Sequence, residues 1–413
     1  MTTNGNDSGN ARSAELWQQA ESMLNDLIAI RRDLHAHPEI RFTEVRTAKI
    51  AADALRSLGI ETKTGVGKTG VVGILRGGLG KGKVLGIRCD MDALPTQEKS
   101  NVPYRSQNDG AMHACGHDVH TTVAIGVARV LTGLKDRFKG TVKFIFQPSE
   151  ENPFGQRCGS LAMIDDGVLE NPPLDGILSL HCWPQLDAGQ VGVGAGPAMA
   201  GAAAFEIVVD GPQAHAAMPR KGRDTILGAA EIISNLYHIT SRRADPSDTI
   251  ALTINEIHGG CVQSVVGGPV RMSGTVRTVS KELMDYIMGL IDDTVEGVAR
   301  ILDLNRKFTI DSYYPPVIND TYIDEIVTAS ATRILGAENV IPQPECPMTA
   351  EDFSHFTDRV PGHYLKLGVA NDEKGIRFPL HNERFDVDER CIAVGVSVLA
   401  DAAIAFLGNE NKK

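Results

Sequence analysis

Cysteine is scarce in this chain: Cys89, Cys115, Cys158, Cys182, Cys261, Cys346 and Cys391 are its only seven in 413 residues. An odd, scattered set makes no disulfide framework and fits reduced thiols in a cytoplasm. Positive charge is also short, with 41 Lys and Arg against 52 Asp and Glu and a formal net charge of −11. Nucleic-acid and anionic-membrane binders need clustered cations to replace phosphate counterions, so this balance argues against both and favours small-molecule partners. No run reads as long and apolar enough to cross a bilayer. The first twelve residues are polar and lack the basic-then-apolar order of a secretory signal, so a floppy tail is expected there. Two familiar motifs are missing too. Residues 77–83 spell G-x-x-x-x-G-K, but Val84 replaces the required Ser or Thr and a strand follows; there is no G-x-S-x-G elbow.

With 42% hydrophobic residues, the chain is too long for one ordinary core and suits two domains of a soluble globular protein. Leu16, Met23, Leu27 and Leu34 follow a helical stripe, and residues 46–58 read as a second helix stopped by Gly59. Apolar runs at 71–75, 84–88, 142–146 and 177–180 are short and bounded by Gly, Pro or charge, as buried strands are. A helical stretch at 119–131 closes at Gly133 between the second and third runs. The expected class is α/β, with a mostly parallel sheet flanked by helices. Composition shifts at 189–201, where Gly, Ala, Val and Pro read as a hinge or crossover. Beyond it, strand 205–209, helix 225–237, strands 250–257 and 270–276, helix 283–302 and strand 308–313 make a ferredoxin-like β-α-β-β-α-β unit. After Pro315-Pro316 helices and strands resume.

Residues 111–122 read Ala-Met-His-Ala-Cys-Gly-His-Asp-Val-His-Thr-Thr, a dense run of potential ligands in a chain with twelve histidines. Cys115 and His117 are spaced so that a thiolate and an imidazole can reach one ion, with Gly116 letting the backbone approach. That pair suits Zn, and added carboxylates admit Mn, Co or Ni. The bland alternative is a helix-start cap beside a buried thiol. Adjacent Glu150 and Glu151, after the 142–146 run, would repel each other if buried and ionised unless a cation neutralised one while the other exchanged a proton. That suggests a ligand and a general base, where adjacent glutamates otherwise mean solvated surface. His181 alone reads equally well as a satisfied core residue, and His381 alone decides nothing; their joint occurrence with the others points to a hydrolytic metal centre. The spacing leaves open whether it holds one ion or two. Asp90 and Asp92 either bind metal directly or orient an imidazole from behind it, and the second reading is preferred, with Asp92 the candidate carried forward. Most of these residues follow the carboxyl ends of strands, where open α/β sheets build their sites.

Seven ordered motifs span nearly the whole chain. They are Arg32-Asp33-Leu34-His35-Ala36-His37-Pro38-Glu39, Asp90-Met91-Asp92-Ala93-Leu94-Pro95, Met112-His113-Ala114-Cys115-Gly116-His117-Asp118, Gln147-Pro148-Ser149-Glu150-Glu151, His215-Ala216-Ala217-Met218-Pro219, Gly274-Thr275-Val276-Arg277 and Ala350-Glu351-Asp352-Phe353. On these the chain resembles the aminoacylase, hippurate hydrolase and indole-acetyl-amino-acid hydrolase branch of the metallopeptidase-like amidohydrolases. The resemblance implies two divalent metal ions held by Cys115, His117, Glu151, His181 and His381, with Glu150 as the proton-transferring base. It also implies that an inserted domain mediates dimerisation, and that His215 helps hold the substrate or its oxyanion. The expected organisation is a disordered tail at 1–12, a metal-dependent catalytic domain at 13–197 and 314–413, and a lid and dimerisation domain at 198–313. Two lid loops depart from the family pattern. After Gly259-Gly260 it usually carries Asn and then Ile-Pro, where this chain has Ser264, Val266 and Gly267; the loop before His215 reads Gly211-Pro212-Gln213-Ala214 in place of a Gly-rich one.

The expected reaction is metal-dependent cleavage of the amide of an N-acyl amino acid or a related small conjugate. Glu150 takes a proton from metal-activated water and returns it to the leaving amine. Arg277 offers a bidentate fork to a substrate carboxylate, or else makes a structural salt bridge. Two rivals stand: a dipeptidase or carboxypeptidase on the same scaffold, and a non-catalytic metal or small-molecule binding protein that would keep the ligands without needing Glu150.

Overall fold

The apolar runs become the middle of a sheet in the computed structural model, which describes residues 4–153, 155–342 and 346–408. Helices α1 (Asn4–Ser22), α2 (Leu24–Ala36) and α3 (Val45–Ser57) come first. They lead into β1 (Glu61–Val66), β2 (Gly70–Arg76), β3 (Val84–Asp90), α4 (His117–Gly133), β4 (Thr141–Gln147), α5 (Gly159–Asp165) and β5 (Gly176–Asp187). Two short strands follow, β6 (Val191–Val193) and β7 (Gly196–Met199), and then β8 (Gly201–Asp210), β9 (Ala214–His215), α6 (Thr225–Arg242), β10 (Ile250–Gly259), β11 (Val265–Val266), β12 (Val270–Thr278), α7 (Lys281–Leu302) and β13 (Asn305–Tyr314). The chain returns through β14 (Val317–Asn319), α8 (Thr321–Leu335), β15 (Val340–Pro342), α9 (Ser354–Thr357), β16 (Gly362–Ala370) and α10 (Cys391–Gly408).

The larger sheet runs β1-β2-β4-β3-β5-β16-β6-β15. Its centre, β4-β3-β5-β16, is parallel, and β1, β2 and β4 pair antiparallel at one edge. Strand β3 is buried along its whole length, as strands covered on both faces are. Helix α4 is buried on nearly every side, and α10 likewise, so neither shows the one-sided apolar stripe of a surface helix. The smaller sheet, β10-β12-β8-β13, is antiparallel, and the order β8-α6-β10-β12-α7-β13 is ferredoxin-like. Its core, around Phe205, Ile232, Met272 and Ile291, is separate from those of the larger sheet. Strands β7 and β14 pair antiparallel where the chain leaves the larger sheet and comes back. Asp224, Ser280 and Asp320 cap α6, α7 and α8 by accepting from the N–H three residues on.

Three expectations change. The chain is already helical from Asn4, in place of a tail to residue 12; Arg12 Nε donates to Asp401 Oδ1 at 2.7 Å, and Leu16 and Ala20 are sealed in the core. Residues 1–3 of that tail, and the last five residues assigned to the catalytic segment, lie outside the described residues. The 189–201 stretch, expected as a hinge or crossover, does carry the chain from the larger sheet to the smaller one, but as strands β6 and β7, with Val191 and Val193 buried in the larger sheet. Finally, α10 is long and apolar enough to span a membrane by length and composition, yet 83% of it is buried inside the protein, so it is a core helix. Strand β1 escaped the sequence reading because its Thr and Lys residues form an exposed edge without an apolar run.

Candidate metal centre

Strand ends and one helix start deliver the potential ligands to a single crevice. Gly116 adopts φ 86°, a left-handed conformation that opens α4 and places Cys115 and His117 on either side of it. His181 comes from the middle of β5, Glu150 and Glu151 follow β4, and His381 lies on the loop before α10. Donor atoms of Cys115, His117 and His181 lie within 4.8 Å of one another, as do those of Cys115, Glu151 and His381, and those of His117, Glu150 and Glu151. Cys115 Sγ is 3.4 Å from His181 Nε2, and His381 Nε2 is 2.9 Å from Glu151 Oε1. A cavity of about 290 Å3 opens on this cluster, walled by Trp183, Met199, Thr349, Ala350, Glu351, Tyr364 and Leu380. Two non-glycine residues here hold left-handed backbone, Ser149 at φ 52° and His381 at φ 64°. Such strain persists only where surrounding bonds hold it: Ser149 N–H donates to Glu44 Oε1 and His381 N–H to Ala114 O.

Asp92 ties this cluster together. Its Oδ1 accepts from Glu150 N–H at 3.0 Å and lies 3.2 Å from His117 Nδ1, while its Oδ2 accepts from Glu151 N–H at 2.9 Å. With Nδ1 engaged, His117 turns Nε2 toward the cluster, where that buried nitrogen has no hydrogen-bond partner. A buried polar atom left in this way is costly unless something binds it, so the donor set fits a divalent cation. Electrostatics agree. Although burial alone would push the His117 imidazole down, Asp90, Asp92 and Glu151 hold its pKa up at about 10, marking a place where positive charge is wanted. Burial, then Glu351, Glu151 and Asp352, push the Glu150 carboxyl well above its ordinary value. Burial with Glu151 and Glu150 also pushes the Cys115 thiol up, and burial with His120 pushes His181 down. A bound cation reverses this pressure on the thiol and the carboxyl.

The sequence pattern of peptidase family M20/M25/M40 matches residues 86–405. The chain belongs to this family. Thermostable carboxypeptidase 2 of Saccharolobus solfataricus is 36% identical over 383 residues, covering 92% of this chain and 95% of that protein. N-acetylcysteine deacetylase of Bacillus subtilis is 36% identical over 382 residues, covering 92% and 97%. Among solved structures, a dinuclear metal-binding peptidase of the M20 family from Bacillus subtilis superposes with a TM-score of 0.80 at 33% identity, covering 94% of this chain and all of the other. Family membership and the donor set together make this M20 protein a metal-dependent amidohydrolase.

Not every expected site residue of this M20 chain reaches the crevice. His215 is exposed on β9, in the two-stranded β9–β11 sheet, with Nδ1 accepting from Ala217 N–H, and is not part of the cavity wall. Arg277 is half-buried on β12 and donates to Met348 O at 2.7 Å, next to Thr349 of the wall. Other residues were underrated in the sequence. His120, the third imidazole of the dense motif, lies 2.5 Å from Asp90 Oδ1 through Nδ1 and accepts from Cys182 N–H through Nε2, so neither ring nitrogen is left for a metal. Arg88 is fully buried and bonds Gln147, Asp90, Glu351 and Asp352 at 2.7–3.0 Å. Glu351 and Asp352 adjoin Glu150, with carboxylate oxygens of the three within 4.8 Å of one another. An arginine inside an apolar strand run signalled this network, and its partners Asp90, Gln147, Glu351 and Asp352 all stand in the ordered motifs.

Proposed function

We propose that this protein hydrolyses the amide bond of N-acyl amino acids, with Cys115, His117, Glu151, His181 and His381 holding two divalent ions, from Mn, Zn, Co or Ni, and Glu150 as the base. The observation that carries this reading is the sealed Nε2 of His117, facing Cys115, His181 and two carboxylates beside a cavity of small-molecule size. When bound, such ions act as Lewis acids and lower the pKa of water from 15.7 to about 7. Asp92 fixes the tautomer and direction of His117 while tying down the backbone of Glu150 and Glu151. The Glu150 carboxylate, made a better proton acceptor by burial and by its acidic neighbours, takes the proton of the attacking water. It then hands that proton to the departing amine. Trp183, Met199 and Leu380 exclude water from one side of the cavity and suit an acyl chain.

The lid supplies the remaining contacts in this reading. Catalytic segments 13–197 and 314–413 carry the metal centre, and 198–313 brings Arg277 to the substrate carboxylate and His215 to the substrate or its oxyanion. The protein is a cytoplasmic homodimer here, joined through the lid. Supporting this are β10, an edge strand, and the exposed Ile226, Leu227 and Tyr237 of α6 and Ile257 of β10. The test is hydrolysis of N-acetyl, N-benzoyl and indole-acetyl amino acids and of dipeptides by metal-stripped protein, before and after each metal is restored. Metal-dependent cleavage of the acyl amino acids is expected. Cleavage confined to peptides favours the carboxypeptidase reading, which the Saccharolobus relative keeps in play.

A further inference from the structure

Four Lys and Arg side chains are buried among the described residues: Arg31, Arg88, Lys143 and Lys366. Three are saturated. Arg31 pairs with Asp118, Asp386 and Glu389, Arg88 with Asp90, Glu351 and Asp352, and the Lys143 ammonium donates to the carbonyls of Val168, Glu170 and Pro172. Lys366 is the exception. Only 4% exposed, its ammonium has no hydrogen bond or ion pair with a described residue and rests 4.3 Å from the centroid of the Trp183 ring, with the Cys346 thiol nearby. Burial pulls its pKa down to about 8, as expected of an ammonium without an anion. An indole face offsets only part of the cost of desolvating that charge.

The place of Lys366 is informative. It lies on central strand β16 directly across from His181 of β5, and paired residues project from the same face of a sheet. That face carries the metal centre. Trp183, two residues beyond His181, forms part of the cavity wall and is also the surface on which the ammonium rests. Lys366 itself does not line that wall, so a substrate carboxylate would meet its ammonium at the edge of this indole.

We infer that Lys366 is a specificity-determining residue that receives a second carboxylate of the substrate, so that the enzyme prefers amides of dicarboxylic character. The inference rests on the amidohydrolase reading, in which Arg277 takes the α-carboxylate. The second carboxylate sits either at the far end of the acyl group or on the amino-acid side chain, and two substrate pairs separate these sources. N-succinylalanine and N-butyrylalanine differ only in a terminal carboxylate on the acyl side; N-acetylglutamate and N-acetylnorvaline differ likewise on the amine side. Wild-type enzyme is expected to favour the charged member of one pair by about tenfold or more in kcat/KM, mainly through KM, because a site built around a charge rejects the analogue lacking it. Lys366→Met collapses that ratio, and Lys366→Arg retains it. Equal rates within both pairs for the wild type, or a ratio unmoved by Lys366→Met, overturns the inference, and the wild-type comparison decides even if the Met variant does not fold. If no amide is cleaved, the amidohydrolase reading fails by itself. Lys366 is then judged by calorimetric binding of succinate against butyrate and of glutamate against norvaline. Roughly tenfold tighter binding of the charged member of one pair, lost in Lys366→Met, sustains the anion site, and equal binding in both removes it.

Discussion

Replacing Glu150 with Gln should move activity and stability in opposite directions, a combination that damage to the fold cannot imitate. The substitution keeps the shape of the side chain and removes one ionisable carboxyl from a cluster that also holds Glu351, Asp352, Glu151 and Asp92. General acid–base catalysis contributes on the order of 10²- to 10⁴-fold, so kcat should fall by that factor, or about 2.7 to 5.4 kcal/mol at 1.36 kcal/mol per tenfold. Stability of the metal-stripped protein should rise. Burial and the neighbouring acids push the Glu150 carboxyl well above its ordinary value, so the folded state holds this proton more tightly than the unfolded chain does. Stability is then greatest below the unfolded pKa of about 4.3 and declines as pH rises toward the folded one. Gln has no such proton to lose. At pH 7 the stripped variant should resist urea better than stripped wild type, and the difference should vanish below about pH 4. Steady-state hydrolysis, metal content by mass spectrometry and urea melts at several pH values test all three parts. A variant with full metal content and a kcat within tenfold of wild type refutes the base assignment. A stripped variant less stable than wild type at pH 7 refutes the argument from crowded charge.

Three further outcomes follow from the same geometry. Arg88→Met leaves Asp90, Glu351 and Asp352 buried without their cation, so urea unfolding should show a loss of about 3–5 kcal/mol. His355 is buried against Tyr314, and burial with the nearby Arg359 lowers its pKa to about 4, below the unfolded value near 6.5. Its neutral form is the folded one, so the associated stability is complete above pH 6.5 and lost as pH falls toward 4. His355→Phe should flatten the urea midpoint across that window, and an unchanged slope would count against it. Gly116→Ala puts a Cβ at 2.7 Å from Cys182 Sγ at a backbone φ of 86°. The resulting shift of the Cys115–His117 segment should weaken metal affinity by tenfold or more in a chelator competition, and wild-type affinity would show that the left-handed turn is dispensable.

Local signals carried much of the fold. The short, mostly apolar runs of β3 and β4, each carrying a single cation, fitted strands buried on both faces, and the alternation of strands and helices after residue 201 could pack in few ways. Where local signal was weak or misleading, the reading failed. The Gly-rich 189–201 stretch concealed two strands, and no run had read as long and apolar enough to cross a membrane although α10 is so by length and composition, while lying buried inside the protein. Its Ser397 and Asp401 interrupt the apolar text, yet Asp401 is satisfied by Arg12, Ser13 and Arg333 from two other helices.

By itself the sequence determined which kinds of side chain could meet a metal, because ligand chemistry belongs to residue type and the 111–122 motif holds its donors within a few positions. It also determined the two patterns of secondary structure, since periodicity is a local property. Tertiary structure alone decided which donors converge, that Asp92 takes up Nδ1 of His117 and leaves Nε2 free, and that His120, from the same motif, is spent on Asp90 and Cys182. It alone brought Glu351 and Asp352 beside Glu150, about two hundred positions away, and left Lys366 buried with no anion among the described residues. The physical reason is that a proton, a metal and a buried charge respond to distances in space, and chain separation does not encode those distances.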